Sequence, residues 1–496
     1  MKHGLIFNLS NYPTSSRPLG PYRIAHFLRE NNFDIEVIEY ALFWKLQELQ
    51  EFARSRINQN TIFIASSHLF YAYSDTIELF FKWIKQCYPK IVIISGSAAF
   101  PGFESSYIDY YIRGYGEFAI LNLLKYVEGN GEKPILDLNF LVKGKKVINA
   151  IHSYPSFPMK SLLVKYENRD FLLENEWLGI EFSRGCKFKC AFCNYPILGI
   201  KDDYTRDAED SYVQLMDTYD RFGITKYIIS DDTFNDRTEK ITKFANVTER
   251  LSFSPWYWGF IRADLLTLRN LDSEELCRMG VNGHYYGIES FNHPSAKSIG
   301  KGLNPERLKS GIIKNKDYFK NHSNQPFRAT IGLIVGLPYE TFETLNQTKK
   351  WLIDNWQGQS FVSWGLEIYN PDGVENLSTL SLDYKKYGYQ RITDKAIQDK
   401  AKSLIPKMYH KMGDRFIWEN SNMNFLQAQE YAINMSKDLY NQYDFRPLSN
   451  DLFRYQLSNQ DLTFEEICNR STRVLNTNFD DQNFVNQYIF KKLSSF

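Results

Sequence analysis

The sequence predicts an α/β protein: a doubly wound, Rossmann-like first domain, a partial (β/α)6 barrel after it, and a helical C-terminal region. Three observations carry this reading. Short β-rich runs alternate with helix-period segments in two series, a turn-rich stretch separates the series, and the alternation stops near residue 375. The boundaries expected are 1–130 for the first domain, 131–176 for a linker, 177–374 for the barrel and 375–496 for the C-terminal domain. At 496 residues the chain is too long for one ordinary core.

In the first series, residues 4–9 form a short apolar run, and Pro21 opens a helix with Ile24, Phe27 and Leu28 on one face. Residues 35–40, 61–66 and 90–95 follow as strands of the buried parallel type. Between the last two, Ile77, Phe80, Phe81 and Ile84 recur at helical spacing. Strand 108–113, the turn Gly114-Tyr115-Gly116 and helix 117–127 complete five strands, whose ligands belong beyond their carboxyl ends. Residues 128–176, with GNGEKP, a hairpin expected around 143–146 and YPSFP, read as a linker with little core of its own.

The second series has strands expected at 178–183, 225–230, 256–262, 284–289, 328–335 and 361–369. Helical patterns near 207–222, 236–253, 272–279, 304–321 and 340–356 separate them. Chemistry in such a barrel sits at the carboxyl ends of the strands. The region beyond 375 is rich in Asn, Tyr and charge at helical period; Trp418, Tyr431, Tyr440, Tyr443 and Tyr455 are expected where it closes the barrel.

Lys plus Arg total 59 against 58 for Asp plus Glu, a balance that does not indicate a nucleic-acid binder relying on phosphate neutralisation. The opening MKHGLIFNLSNYPTSS fits neither a secretory signal nor a membrane span, so no membrane association and a cytoplasmic location are expected. Six cysteines stand at 87, 186, 190, 193, 277 and 468, and three within eight residues do not make a disulfide framework.

Those three form Cys186-x-x-x-Cys190-x-x-Cys193 directly after the first barrel strand, at the mouth. Three thiolates can hold three irons of a cubane cluster, leaving the fourth iron open, whereas electron-transfer clusters normally have four Cys ligands. Gly185 lets the backbone turn into the loop. A zinc site with a His as fourth ligand is the alternative; His152 and His284 are the nearest and are remote in sequence.

The spacing, with Phe192 before the last Cys, resembles the hallmark of the radical S-adenosylmethionine (SAM) superfamily. Ser230-Asp231-Asp232-Thr233-Phe234, Arg262 with Asp264, Gly287-Ile288-Glu289-Ser290 and the stretch from Gly332 to Glu340 resemble the segments that surround SAM in that family. Asn370-Pro371-Asp372-Gly373 is similar to its proline-glycine turn without the usual Thr. The resemblance implies a 4Fe-4S cluster on Cys186, Cys190 and Cys193, reductive cleavage of SAM to a 5′-deoxyadenosyl radical, and an electron donor such as flavodoxin or ferredoxin. It also implies Asp231 or Asp232 at the SAM amino group, Arg262 at its carboxylate, Glu289 and Ser290 at the ribose, and Phe192 with Gly332 to Gly336 at the adenine. Taken singly, an Asp pair after a strand is commonly a helix cap and Gly-Leu-Pro a turn.

The first domain resembles the cobalamin-binding domain of one large subgroup. Ser66, Ser95-Gly96 and Arg113-Gly114-Tyr115-Gly116-Glu117 carry the resemblance, which implies Ser66, Gly96, Gly114 and Gly116 as cobalamin contacts. The Asp-x-His-x-x-Gly signature of an axial His is absent: Ser10 to Pro18 contain no His, and the fourth strand has Gly-Ser where Gly-Gly is common. Methylthiotransferases, whose first domain carries three further Cys, match poorly, since only Cys87 precedes the cluster loop. Three functions follow: cobalamin-dependent methyl transfer to, or rearrangement of, an unactivated carbon; a cobalamin-independent radical oxidoreductase or cyclase; and a non-catalytic iron–sulfur or corrinoid sensor.

Overall fold

The computed structural model describes residues 1–9, 17–39, 41, 44–67, 75–96, 105–136, 146–150, 163–170, 177–194, 204–369, 378–404 and 415–445. The first series folds into one parallel sheet of β1 (Lys2–Asn8), β2 (Phe33–Ile38), β3 (Thr61–Ser67), β4 (Val92–Ser95), β5 (Tyr110–Arg113) and β6 (Lys146–Asn149), in the order β2-β1-β3-β4-β5-β6. Helices α1 (Leu19–Glu30), α2 (Leu46–Arg56), α3 (Asp75–Cys87) and α4 (Glu117–Val127) cover both faces. One face gives Ile6, Phe63, Ile94 and Ile112 to the core of α1 and α4; the other gives Leu5, Phe7, Ile64 and Ile93 to that of α2 and α3. Burial on both sides explains why these strands read as continuous apolar runs. The strand order reverses between β1 and β3, which makes their carboxyl ends the ligand edge.

The stretch expected to be a linker contributes β6, parallel to β5, with Val147 and Ile148 fully buried. Four residues are too few for periodicity to separate a strand from a loop. Leu136 bridges Ile148 antiparallel, consistent with the expected hairpin, whose turn lies outside the described residues.

The second sheet is β7 (Trp177–Ile180), β8 (Lys226–Ile229), β9 (Trp256–Ile261), β10 (Val281–Glu289), β11 (Arg328–Val335) and β12 (Ser360–Gly365), parallel and in sequence order. It is an open barrel with β7 and β12 at its edges. Helices α5 (Ala208–Phe222), α6 (Thr238–Glu249), α7 (Asn270–Met279), α8 (Pro305–His322) and α9 (Phe342–Asn355) lie between the strands. Their ends follow local chemistry: Asp207 caps α5 by accepting from Glu209 N, and α5 stops at Gly223, whose φ of 69° suits glycine. β7 is shorter than expected, because Ser183–Arg184 leaves it to pair antiparallel with Tyr204–Thr205.

Beyond the barrel, α10 (Phe425–Gln442) packs on β12, with Tyr440 stacked on Phe361 at 4.9 Å between centroids. This region also holds two short antiparallel pairs, Ile368–Tyr369 with Arg415–Phe416 and Gln390–Arg391 with Trp418–Glu419. Tyr455 and Cys468 lie outside the described residues. Among the described residues no helix is long and apolar enough to cross a membrane.

The two sheets meet at β7. Arg17 N donates to Trp177 O at 3.1 Å, and Arg17 forms a parallel bridge with Leu178. A Cβ on Gly179 would lie 2.9 Å from Leu19 Cβ, so glycine here lets the start of α1 sit directly on the strand.

Candidate active site

The cysteine loop begins at Gly185, whose φ of 97° is accessible to glycine without a Cβ penalty. Cys186, Cys190 and Cys193 are each half-buried. The loop is pinned at several points: Ala191 N donates to Ile299 O at 3.0 Å, Leu380 N to Ala191 O at 2.9 Å, and Ser378 N to Asn194 Oδ1 at 2.8 Å. Thr233 Oγ1 is 3.7 Å from Cys186 Sγ, and Arg262 Nη1 is 3.5 Å from Cys190 Sγ. Three accessible thiols on one anchored loop, with a guanidinium beside one of them, fit a cubane cluster with three protein ligands. In a cubane each thiolate meets its own iron, so the sulfurs need not converge on one point; among the described residues no three His, Cys, Asp or Glu side chains form a cage for a single metal ion. His284 is no fourth ligand: it is fully buried, paired with Tyr286 Oη at 2.7 Å and Val281 O at 2.9 Å. His152 lies outside the described residues.

The strand-end residues differ in burial and in the partners they hold. Asp231 is 1% exposed; it accepts from Phe182 N at 2.8 Å and Ser183 Oγ at 2.6 Å, and burial pushes its carboxyl up to about 6 against the pull of Lys240. Asp232, next in the chain to Thr233, is half-buried. Lys240, itself buried, joins Asp236 (2.6 Å), Ser183 Oγ (3.0 Å) and Thr233 O (3.1 Å) beneath them. Arg262 is held as a fork on Asp264 (Nε–Oδ1, 3.0 Å) with its guanidinium 3.9 Å from the Phe188 ring centroid. Asn235 clasps the Arg262 backbone, accepting from its N–H at 2.7 Å and donating to its carbonyl at 3.0 Å.

Glu289 ends β10 with φ 64°, an uncommon conformation for a residue with a side chain, and pairs with Lys301 Nζ at 2.8 Å. Lys301 also donates to Gly287 O at 2.5 Å and lies 5.8 Å from the Phe192 ring centroid. Ser290 does not join this group: it is 4% exposed and donates to Glu340 Oε1 at 2.7 Å. Glu340, which also accepts from Gly336 N at 2.9 Å, is pushed by burial up to about 7. The two glycines expected at the adenine each have a neighbouring ring close by. A Cβ on Gly332 would lie 2.3 Å from Tyr285 Oη, and one on Gly336 would lie 2.5 Å from the Trp418 ring. A short polar or glycine residue at a strand end reads alike whether it faces a ligand or a neighbour, and only packing separates the two. Lys301, Asp264, Asn235 and Glu340 were not expected as partners; only Arg262-x-Asp264, with its two-residue spacing, carried a sequence signal.

At the ligand edge of the first sheet, Gly96 N donates to buried Ser66 O at 3.0 Å, Gly114 turns at φ 93°, and Gly116 precedes α4. The loops after β1, β3 and β4, including His68, lie outside the described residues. Glu117 reaches Arg184, two residues before Cys186.

Residues 180–352 match the radical SAM superfamily. An uncharacterised methyltransferase of Pyrococcus horikoshii is 24% identical over 257 residues, 50% of this chain and 53% of that protein, so the chain spans about half the length of this curated relative. A putative methylthiotransferase of Methanocaldococcus jannaschii is 23% identical over 352 residues, 66% of this chain and 72% of its own. Among solved structures, the radical SAM methyltransferase TsrM from Kitasatospora setae, with tryptophan substrate and a SAM analogue bound, has a similar fold. Its TM-score is 0.67 at 12% identity, over 96% of this chain and all of that one. The cobalamin-dependent SAM radical enzyme OxsB has a TM-score of 0.59 at 15% identity, over all of this chain and 80% of that one. The chain is accordingly an enzyme built around a radical S-adenosylmethionine domain at residues 180–352.

Proposed function

We propose that this enzyme transfers a methyl group to, or rearranges, an unactivated substrate carbon, using a corrinoid on the first sheet together with SAM at the cysteine loop. The carrying observation is that the first sheet's ligand edge, at the start of α1 and of α4, abuts β7, the strand that leads into that loop. A ligand on that edge is thereby close to the barrel mouth. TsrM, solved with cobalamin and a [4Fe-4S] cluster, and OxsB, solved with aqua-cobalamin and SAM, have this architecture and support the reading.

In this proposal Cys186, Cys190 and Cys193 would hold the cluster, which would supply the electron for reductive cleavage of SAM. Asp232 accepts from the amino group, Arg262 pairs with the carboxylate while Asp264 fixes its fork, Glu289 accepts from the ribose, and Phe192 stacks on the adenine. Asp231, Ser290 and Gly336 act behind them, by shaping the strand ends. On the first sheet, Ser66, Gly96, Gly114 and Gly116 would line the corrinoid. The donor is a flavodoxin or ferredoxin, in the cytoplasm.

The test is anaerobic reconstitution with iron, sulfide and hydroxocobalamin, then addition of reductant and SAM. The reading requires 5′-deoxyadenosine or S-adenosylhomocysteine, a corrinoid spectrum after desalting, and loss of iron when the three cysteines are replaced by Ala. The missing axial His favours a second reading, a radical oxidoreductase or cyclase without corrinoid. That enzyme would yield 5′-deoxyadenosine and retain no corrinoid.

A further inference from the structure

A buried ionic cluster joins the two sheets. Arg184 spans from Glu181, with Nε 2.7 Å from Oε1, to Glu117, the first residue of α4, which its Nη2 meets directly. Its guanidinium carbon lies 4.0 Å from the Tyr115 ring centroid, and Arg23 of α1 reaches the other oxygen of Glu181 at 2.8 Å. The side chains of Arg184 and Glu117 are each 3% exposed. Burial alone would raise the Glu117 carboxyl; Arg184, with Arg23 adding to it, overcomes burial and holds it below the usual range.

Such a cluster is a poor way to glue two domains. Desolvating four charged groups is costly, and apolar residues of similar volume commonly stabilise as well or better. The junction already has an apolar seat, Leu19 on Gly179. A hydrogen-bonded ion pair adds what apolar packing lacks, a fixed direction and distance. Here it connects the Gly114-Tyr115-Gly116 turn to the residue just before Gly185, where the chain swings into the cysteine loop.

We propose that Glu117 is a positioning residue for the iron–sulfur site: through Arg184 it locks the cysteine loop to the ligand edge of the other sheet. The part concerning the corrinoid rests on the function proposed above; the part concerning the loop does not.

The experiment compares the wild-type holoenzyme with Glu117→Gln and with the double variant Glu117→Leu/Arg184→Met, in which no charge of the pair is stranded. Each is reconstituted to equal iron content. Melting temperature, iron release to a chelator, and the electron paramagnetic resonance spectrum of the reduced cluster with SAM are recorded. Glu117→Gln is expected to melt lower and to release iron about tenfold faster. The double variant is expected to recover the melting temperature yet keep the faster release and an altered spectrum. A double variant with wild-type release and spectrum overturns the proposal and leaves the pair a domain contact. If the double variant does not recover stability, the spectrum alone decides: an altered one supports the positioning role and a wild-type one overturns it. Hydroxocobalamin added to the same proteins should perturb the wild-type spectrum but not that of the double variant. If the wild type binds no hydroxocobalamin, the corrinoid reading fails while the release and spectral arms still decide the positioning role.

Discussion

The Arg262 guanidinium stands 3.5 Å from Cys190 Sγ while its other edge is forked onto Asp264. A cation donating to a cluster thiolate stabilises the more negative, reduced state, so its removal should make reduction harder. Arg262→Met is expected to lower the cluster midpoint potential by on the order of 50 mV, close to tenfold in the reduction equilibrium. Asp264→Asn, which loosens the fork without removing the cation, should shift it less. Redox titration followed by electron paramagnetic resonance checks both, and a potential unmoved in Arg262→Met would separate this residue from the cluster.

Glu289 carries a functional and a conformational assignment that two substitutions pull apart. Glu289→Ala removes the carboxylate but keeps a Cβ at φ 64°, whereas Glu289→Gly removes both. Affinity for SAM should fall about ten- to a hundredfold in either variant, from loss of charged hydrogen bonds. The glycine variant should nevertheless be the more stable of the two, by roughly 1 kcal/mol. Equilibrium binding and denaturant melts on the clustered protein read the two effects separately; unchanged affinity in both would remove Glu289 from the ribose.

His284 makes the fold sensitive to acid. Burial drives its imidazole down from 6.5 to about 3, and the only polar groups facing it in the described residues are Tyr286, Asn315 and the Val281 carbonyl. Below pH 6.5 the unfolded chain takes up a proton that the folded chain refuses until about pH 3, so this contribution to stability is complete above 6.5 and is lost as pH falls between the two. The loss is at most about 1.4 kcal/mol per pH unit. His284→Asn should flatten that slope in urea denaturation between pH 6.5 and 4.5, and an unaltered slope would assign the acid sensitivity elsewhere.

Gly336 is irreplaceable for two reasons at once, its φ of 99° and the Trp418 ring that a Cβ would meet at 2.5 Å. Gly336→Ala should cost roughly 2 kcal/mol or more. Gly20→Ala, in the first turn of α1 with nothing within 4 Å, should be neutral or slightly stabilising. Thermal melts of the two variants side by side test the contrast.

The chain displayed its sheets openly because strands buried on both faces must be apolar throughout: Ile91 to Ile94 admits little else. The cysteine loop was legible because its chemistry demands fixed residue types at fixed spacing. The strand ends were legible only as candidates. Asp231 and Asp232 are identical in sequence, yet one is consumed by Phe182 N and Ser183 Oγ, partners 48 and more residues away. Ser290 and Gly336, placed at the ligand by resemblance, also touch Glu340, Trp418 and Tyr389, which donates to Gly336 O at 2.7 Å. Long-range contacts of this kind leave no period in the chain to read.

An open barrel has two bare rims, and β7 is one of them. Its outer backbone groups would template another chain, yet Arg17 of the first domain is seated against Trp177 and Leu178 and covers that row. The N-terminal domain thus caps part of the edge along which two barrels could pair. During synthesis the cap emerges before the strand it covers, so β7 need never stand uncovered. A chain begun after residue 30 would expose this rim and should aggregate through it, even with every cluster ligand intact.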